Sequence, residues 1–171
     1  MAKVPEGRPP TVVLGLGNPL MGDDGLGLAV LARLREEWDW PPEVELVDGG
    51  TWGMNLLPLI EDAGALLLLD AIRTGARAGE PVRLERDRLP RYLAHKLSPH
   101  QIDLKEVLAL AELRGTLPAL TVAIGAEPGE VTLSTTLTPE LARTVGIVAR
   151  AAVDQLAAWG HQGRRLAVLD A

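Results

Sequence analysis

The chain has 171 residues, 47% apolar and 23% charged, with a formal net charge of −6 and no cysteine. That length suits a single compact domain with a sizeable core, and the composition excludes a disordered chain. The lack of cysteine excludes disulfides, thiolate metal sites and thiol nucleophiles within this chain, and the negative charge argues against general nucleic-acid binding.

In chain order, residues 1–10 (MAKVPEGRPP) read as a flexible tail without the apolar core of a signal peptide, so a cytoplasmic location is expected. Residues 11–160 are expected to form one α/β domain, and residues 161–171, including His161, a C-terminal tail. Thr11–Leu16 is a short β-rich run that enters a glycine loop. Gly25–Trp38 reads as a helix, because Leu26, Val30, Leu34 and Trp38 recur on one face; Pro41 and Pro42 stop it. Glu43–Val47 alternates as a strand and ends in Asp48-Gly49-Gly50. Trp52–Asp62 is a second helix weakened by Pro58. The apolar run Ala65–Leu69 is a buried strand that closes on Asp70, and it is far too short for the ~20 residues of a membrane helix. Pro81–Arg86 alternates as an edge strand. The short link before it disfavours a parallel crossover, so it is expected to run antiparallel. Ser98–Leu113 is a helix, Leu120–Ile124 a strand and Thr138–Trp159 a final helix, with Thr138 as N-cap and Pro139 in the first helical position. This alternation predicts a three-layer α/β/α sandwich around a mixed, mostly parallel sheet.

The loop Gly15-Leu16-Gly17-Asn18-Pro19-Leu20-Met21-Gly22-Asp23-Asp24-Gly25 departs from the dinucleotide fingerprint. Leu20 stands where that motif needs its third glycine, and two carboxylates at the helix entrance repel a pyrophosphate. One helix start accepts one cap, so one of Asp23 and Asp24 is left to face the crevice beyond the strand ends. Asp70 ends another central strand and should face the same crevice. In Ser98-Pro99-His100-Gln101, a capping box places His100 in the first turn of a helix. The positive helix end there disfavours imidazolium and leaves the neutral imidazole that binds metals. Asp24, Asp70 and His100 are thus a candidate open site for a first-row divalent ion. There is no H-E-x-x-H and no G-x-S-x-G motif, and of the two serines Ser98 is engaged in capping. Glu127, after the last strand, borders the crevice as a candidate substrate contact. The segment from Arg73 to Lys96 has six arginines and one lysine against three acids. It reads as solvated edge and loops, or more sharply as a docking surface for an acidic part of a partner.

The run Val13–Gly27 resembles the N-terminal signature of the hydrogenase maturation endopeptidases, which clip the C-terminal extension from the large subunit of nickel–iron hydrogenases. The resemblance continues through Asp48-Gly49-Gly50-Thr51, Leu69-Asp70-Ala71-Ile72 and Lys96-Leu97-Ser98-Pro99-His100-Gln101. It covers about residues 11–150 in family order. It implies an α/β/α sandwich whose five-stranded sheet has one antiparallel strand. It also implies that Asp24, Asp70 and His100 are the metal-binding and catalytic residues, with Asp48, Gly49, Gly50 and Thr51 contacting substrate. The nickel would be supplied by the large-subunit precursor, with no organic cofactor and no nucleic-acid or membrane partner. The opening Gly15-Leu16-Gly17-Asn18-Pro19 is also similar to that of peptidyl-tRNA hydrolases. That family continues with a Tyr and a Thr-Arg-His-Asn run, whereas here the next histidine is His95. A non-catalytic nickel or maturation chaperone on the same scaffold is the other alternative, together with a nucleotide-binding module.

Overall fold

The computed structural model describes residues 9–50, 53–89 and 104–167. Its central sheet is built from β1 (Thr11–Leu16), β3 (Val44–Gly50), β4 (Ala65–Ala71), β5 (Pro81–Glu85) and β6 (Leu120–Ala126) in the order β3-β1-β4-β6-β5. β1 pairs in parallel with β3 and β4, and β4 in parallel with β6. β5 alone in this sheet is antiparallel, with Pro81 opposite Ala126 and Glu85 opposite Val122. The expected mixed sheet and its antiparallel edge strand are both present. The helices are α1 (Leu26–Glu37), α2 (Leu57–Asp62), α3 (Leu104–Leu113) and α4 (Pro139–Ala158).

Strand periodicity divides the core in two. Val12, Leu14, Leu66 and Leu68 pack with Leu57, Ile60, Val107 and Leu108 of α2 and α3. Val13, Leu67, Leu69 and Ile124 point the other way, into Val30, Leu31 and Leu34 of α1 and Leu141 and Val148 of α4. Leu66 to Leu69 are all 1% exposed or less. Burying each contributes about 1.5–3 kcal/mol, so β4 anchors both layers.

Several boundaries move, and each shift has a local cause. β4 and β6 continue two residues past the expected ends at Leu69 and Ile124, because each continues to pair with the other. Asp70 therefore lies within the ladder and not after it. β3 likewise runs on through Gly49 and Gly50, following β1 past a register shift at Gly15/Leu16. The first helix opens as a 3-10 turn over Gly22–Gly25 before α1 starts at Leu26. The second splits into a 3-10 turn, Gly53–Leu56, and α2, whose first turn takes Pro58 where a missing N–H costs nothing. The described part of the helix expected over 98–113 is α3. Residues 161–167 do not trail away as a tail. Arg164–Arg165 forms β7, antiparallel to β2 (Trp38–Asp39), and His161 Nε2 lies 2.8 Å from Thr11 Oγ1. Arg164 adds a 2.7 Å ion pair to Asp39.

Candidate active site at the carboxyl edge of the sheet

In an open α/β sheet, the loops that leave the carboxyl ends of parallel strands enclose a crevice. Register places the residues of interest along that edge. Asp48 of β3 is level with Gly15 of β1, Gly15 with Leu69 of β4, and Asp70 with Gly125 of β6. Neighbouring strands lie ~4.8 Å apart, so Asp48 and β4 are ~10 Å apart across the edge.

Asp24 is half-buried in the turn between β1 and α1. Its Oδ2 accepts the main-chain N–H of Asn18 at 2.8 Å, which folds the glycine loop back over the turn. Gly17, with φ of +106°, makes this possible: a Cβ there would lie 1.8 Å from the carbonyl oxygen of Asp24.

Asp23, fully buried, points elsewhere. Cap reasoning expects one acid of this pair to cap its own helix, but the Asp23 side chain makes no such bond. Instead Oδ1 accepts the N–H of Thr138, and Oδ2 accepts the N–H groups of Gly129 and Glu130 and the Thr138 hydroxyl, at 2.7–3.0 Å. Burial pushes its pKa up, but these N–H donors, Thr138 foremost, outweigh it and hold the carboxyl below its ordinary value. Thr138 occupies the expected N-cap position of α4, yet its hydroxyl serves Asp23 and not the helix. Main-chain bonds from Gly22 N–H to Ser134 O and from Asp23 N–H to Glu130 O complete the tether. One acid of the pair thus fixes the loop between β6 and α4, and its neighbour is turned to the glycine loop.

Asp70 is 2% exposed, near the carboxyl end of β4. By strand alternation it falls on the face of Leu66 and Leu68, the side covered by α2 and α3. Gly125 is what lets β6 lie beside it. A Cβ at that position would sit 1.8 Å from the Asp70 carbonyl oxygen. A glycine inside the apolar run Leu120–Ala126 is the sequence signal for this close approach. Asp48 is exposed on the edge strand. Alternation with Leu46 puts it on the α1 face, opposite to Asp70. Gly49 and Gly50 follow it within β3.

Glu127 is 5% exposed, and its Oε2 accepts both the N–H and the hydroxyl of Thr74 at 2.6 and 3.1 Å. This carboxylate therefore ties the end of β6 to the loop after β4. Thr51 and His100 lie outside the described residues. α3 begins at Leu104, and its last residue, Leu113, lines one cavity with Leu120 at the amino end of β6. Among the described residues, no three His, Asp or Glu side chains form a metal-holding group. The described members of the candidate set are Asp24 and Asp70.

A cavity of about 1030 Å³ lies at the opposite end of the sheet, lined by Leu108, Leu113, Leu120, Trp159 and charged residues of β5 and the following turn. Its arginines are ion-paired, Arg83 to Glu85 and Arg86 to Glu112. Residues 83–88 of the arginine-rich segment thus form an edge strand and turn in which these two arginines are engaged in local pairs.

Comparison with known proteins agrees with this architecture. The family described as hydrogenase maturation protease matches residues 28–155. The hydrogenase expression/formation protein HupD of Rhodobacter capsulatus is 38% identical over 151 residues, 87% of this chain and 72% of that protein. The hydrogenase 2 maturation protease of Escherichia coli K12 is 32% identical over 148 residues, 86% of this chain and 88% of that one. The solved structure of the E. coli hydrogenase maturating endopeptidase HybD superposes with a TM-score of 0.86 at 28% identity, covering 91% of this chain and 97% of that chain.

Proposed function

The chain belongs to the hydrogenase maturation proteases, and as such is a peptidase; we propose that it removes the C-terminal extension of a nickel–iron hydrogenase large-subunit precursor after nickel insertion. The observation that carries this reading is the division of labour at the carboxyl edge. Asp23 is committed to structure by its four hydrogen bonds. Asp24 and Asp70 stand on the loop and strand of two neighbouring parallel units. Together with His100 they would contact the precursor's nickel, an arrangement of oxygen and nitrogen donors suited to a divalent first-row ion. The nickel is then part of the substrate, and the protein reads its presence.

Peptide hydrolysis requires a water to attack the scissile carbonyl and a proton to reach the leaving amine. Docking the precursor's metal against fixed carboxylates would hold that bond in one place, and positioning alone supplies a large share of such rate accelerations. The fixed geometry comes from the Asp24–Asn18 bond and from the ladder around Asp70. Thr51 with Asp48, Gly49 and Gly50 would meet the peptide on the β3 side. Glu127 is proposed to contribute by holding Thr74 and the crevice wall.

The test is tail release by the purified protein. Incubated with nickel-loaded precursor and weighed by intact-mass spectrometry, the large subunit should lose its extension as one peptide. Stable binding with no loss of mass would instead assign the protein a chaperone role.

A further inference from the structure

The two edges of the sheet differ at their crevice ends. In a parallel ladder, alternate residues of an edge strand direct both main-chain groups toward the neighbour, and the residues between them direct both groups outward. The Glu43 carbonyl accepts the N–H of Thr11 of β1. By that alternation Glu45 and Val47 face β1, whereas Val44, Leu46 and Asp48 face outward. Of the four outward groups of Val44 and Leu46, toward the amino end of this edge, two are already used. The N–H of Val44 donates to Pro41 O at 2.9 Å, and the Leu46 carbonyl accepts from Arg35 Nη2 at 2.8 Å. Such coverage blunts an edge against unwanted pairing. It stops short of Asp48, whose N–H and C=O face outward beside the crevice, and among the described residues no strand pairs there. The other edge strand, β5, presents Pro81 at its crevice end, a residue with no N–H to offer.

We infer that the crevice end of the β3 edge takes an extended segment of the precursor as an added strand, held through the main-chain N–H and C=O of Asp48. This rests on the function proposed above and adds to it the means by which the peptide is held. Strand addition supplies affinity through main-chain bonds and so suits a scissile segment, which must be extended to be cleaved. The occupant fits the position, because Asp48 lies level with Gly15 and Leu69, at the same edge of the sheet as Asp70 and the loop that carries Asp24. It also fits the charge, because exposed Glu45 and Asp48 outnumber the cation on this edge, Arg35 on the Leu46 carbonyl, and favour a segment that carries a basic side chain.

The experiment compares Asp48→Pro with Asp48→Ala. Both lose the carboxylate, and only the proline loses the N–H. With nickel-loaded precursor, KM for Asp48→Pro should exceed that for Asp48→Ala at least tenfold, with kcat within about twofold. Equal KM values would overturn the inference. If Asp48→Pro does not fold, hydrogen exchange on the wild-type protein decides. The Asp48 amide should exchange at least tenfold more slowly when saturated with the precursor. An unchanged rate would overturn the inference. So would protection that needs no precursor and grows with protein concentration, since a second copy of this chain would then occupy the edge. Cleavage by wild-type protein with Asp48 unaffected removes only this inference, whereas no cleavage at all removes the proposed function with it.

Discussion

The two ends of the sheet present opposite offers to a ligand. Among the described residues, the amino end carries a cavity of about 1030 Å³, lined in part by Leu113 and Leu120, 85% and 51% exposed. The carboxyl end has the acids, because parallel strands and their loops deliver Asp24, Asp48 and Asp70 to one edge. Volume arises wherever a helix and a strand diverge. Acids near the ends of buried strands require something specific in return, here a glycine at Gly125 and a folded loop over Asp24. The contrast teaches that strand direction, and not the presence of a hollow, decides where the acids of this sheet gather.

The largest effects should come from the carboxyl end. Asp24→Asn, Asp70→Asn and His100→Ala should each lower tail release by at least 100-fold in a mass-spectrometric time course, because each removes one donor from a small set. Asp24→Asn should melt within a few degrees of the wild type, since an amide oxygen can accept the Asn18 N–H in place of the carboxylate. Next in size is Gly125→Ala. The added methyl must displace backbone 1.8 Å away at Asp70, so processing and melting temperature should fall together.

Asp23→Asn separates the neighbouring acids. An amide in place of the carboxylate brings N–H donors against N–H donors, and stability at pH 7 should fall on the order of 2–3 kcal/mol in a urea titration. The loss has a pH signature. The folded carboxyl titrates below its ordinary value of about 3.8, so its stabilisation is fully present above that value and disappears as the pH falls through the lower folded one. The gap between wild type and Asp23→Asn should therefore close in acid. A gap that widened there would contradict the tether. The smallest effect belongs to the amino end: Leu113→Ser and Leu120→Ser should leave tail release within about twofold. A tenfold loss in either would place a working surface at the amino end of the sheet.

Much of the fold is legible in the sequence because apolar runs carry it. Thr11–Leu16 and Ala65–Leu69 are buried strands by composition, and the short link before Pro81 sets the direction of β5. What escapes is non-local. A two-residue pairing such as Trp38–Asp39 with Arg164–Arg165 has no periodicity to detect. The partners of Asp23 lie 106–115 residues away, so cap reasoning separates two acids with different roles but places the structural one on the wrong helix end. Glu127 shows the same limit, since its bond to Thr74 spans 53 residues and turns an apparent crevice acid into a buried brace. The placement of Asp24 and Asp70 at the carboxyl edge is legible because strand ends in parallel sheets have a fixed fate, whichever loops follow.

If the carboxylates at this edge read the nickel carried by the substrate, the metal must decide whether the tail is released. The most direct measurement is the initial rate of tail release from nickel-loaded and nickel-free precursor, side by side at micromolar wild-type protein. Release is predicted from the loaded form, with at least 100-fold slower release from the empty one; equal rates from the two would contradict a nickel-reading site.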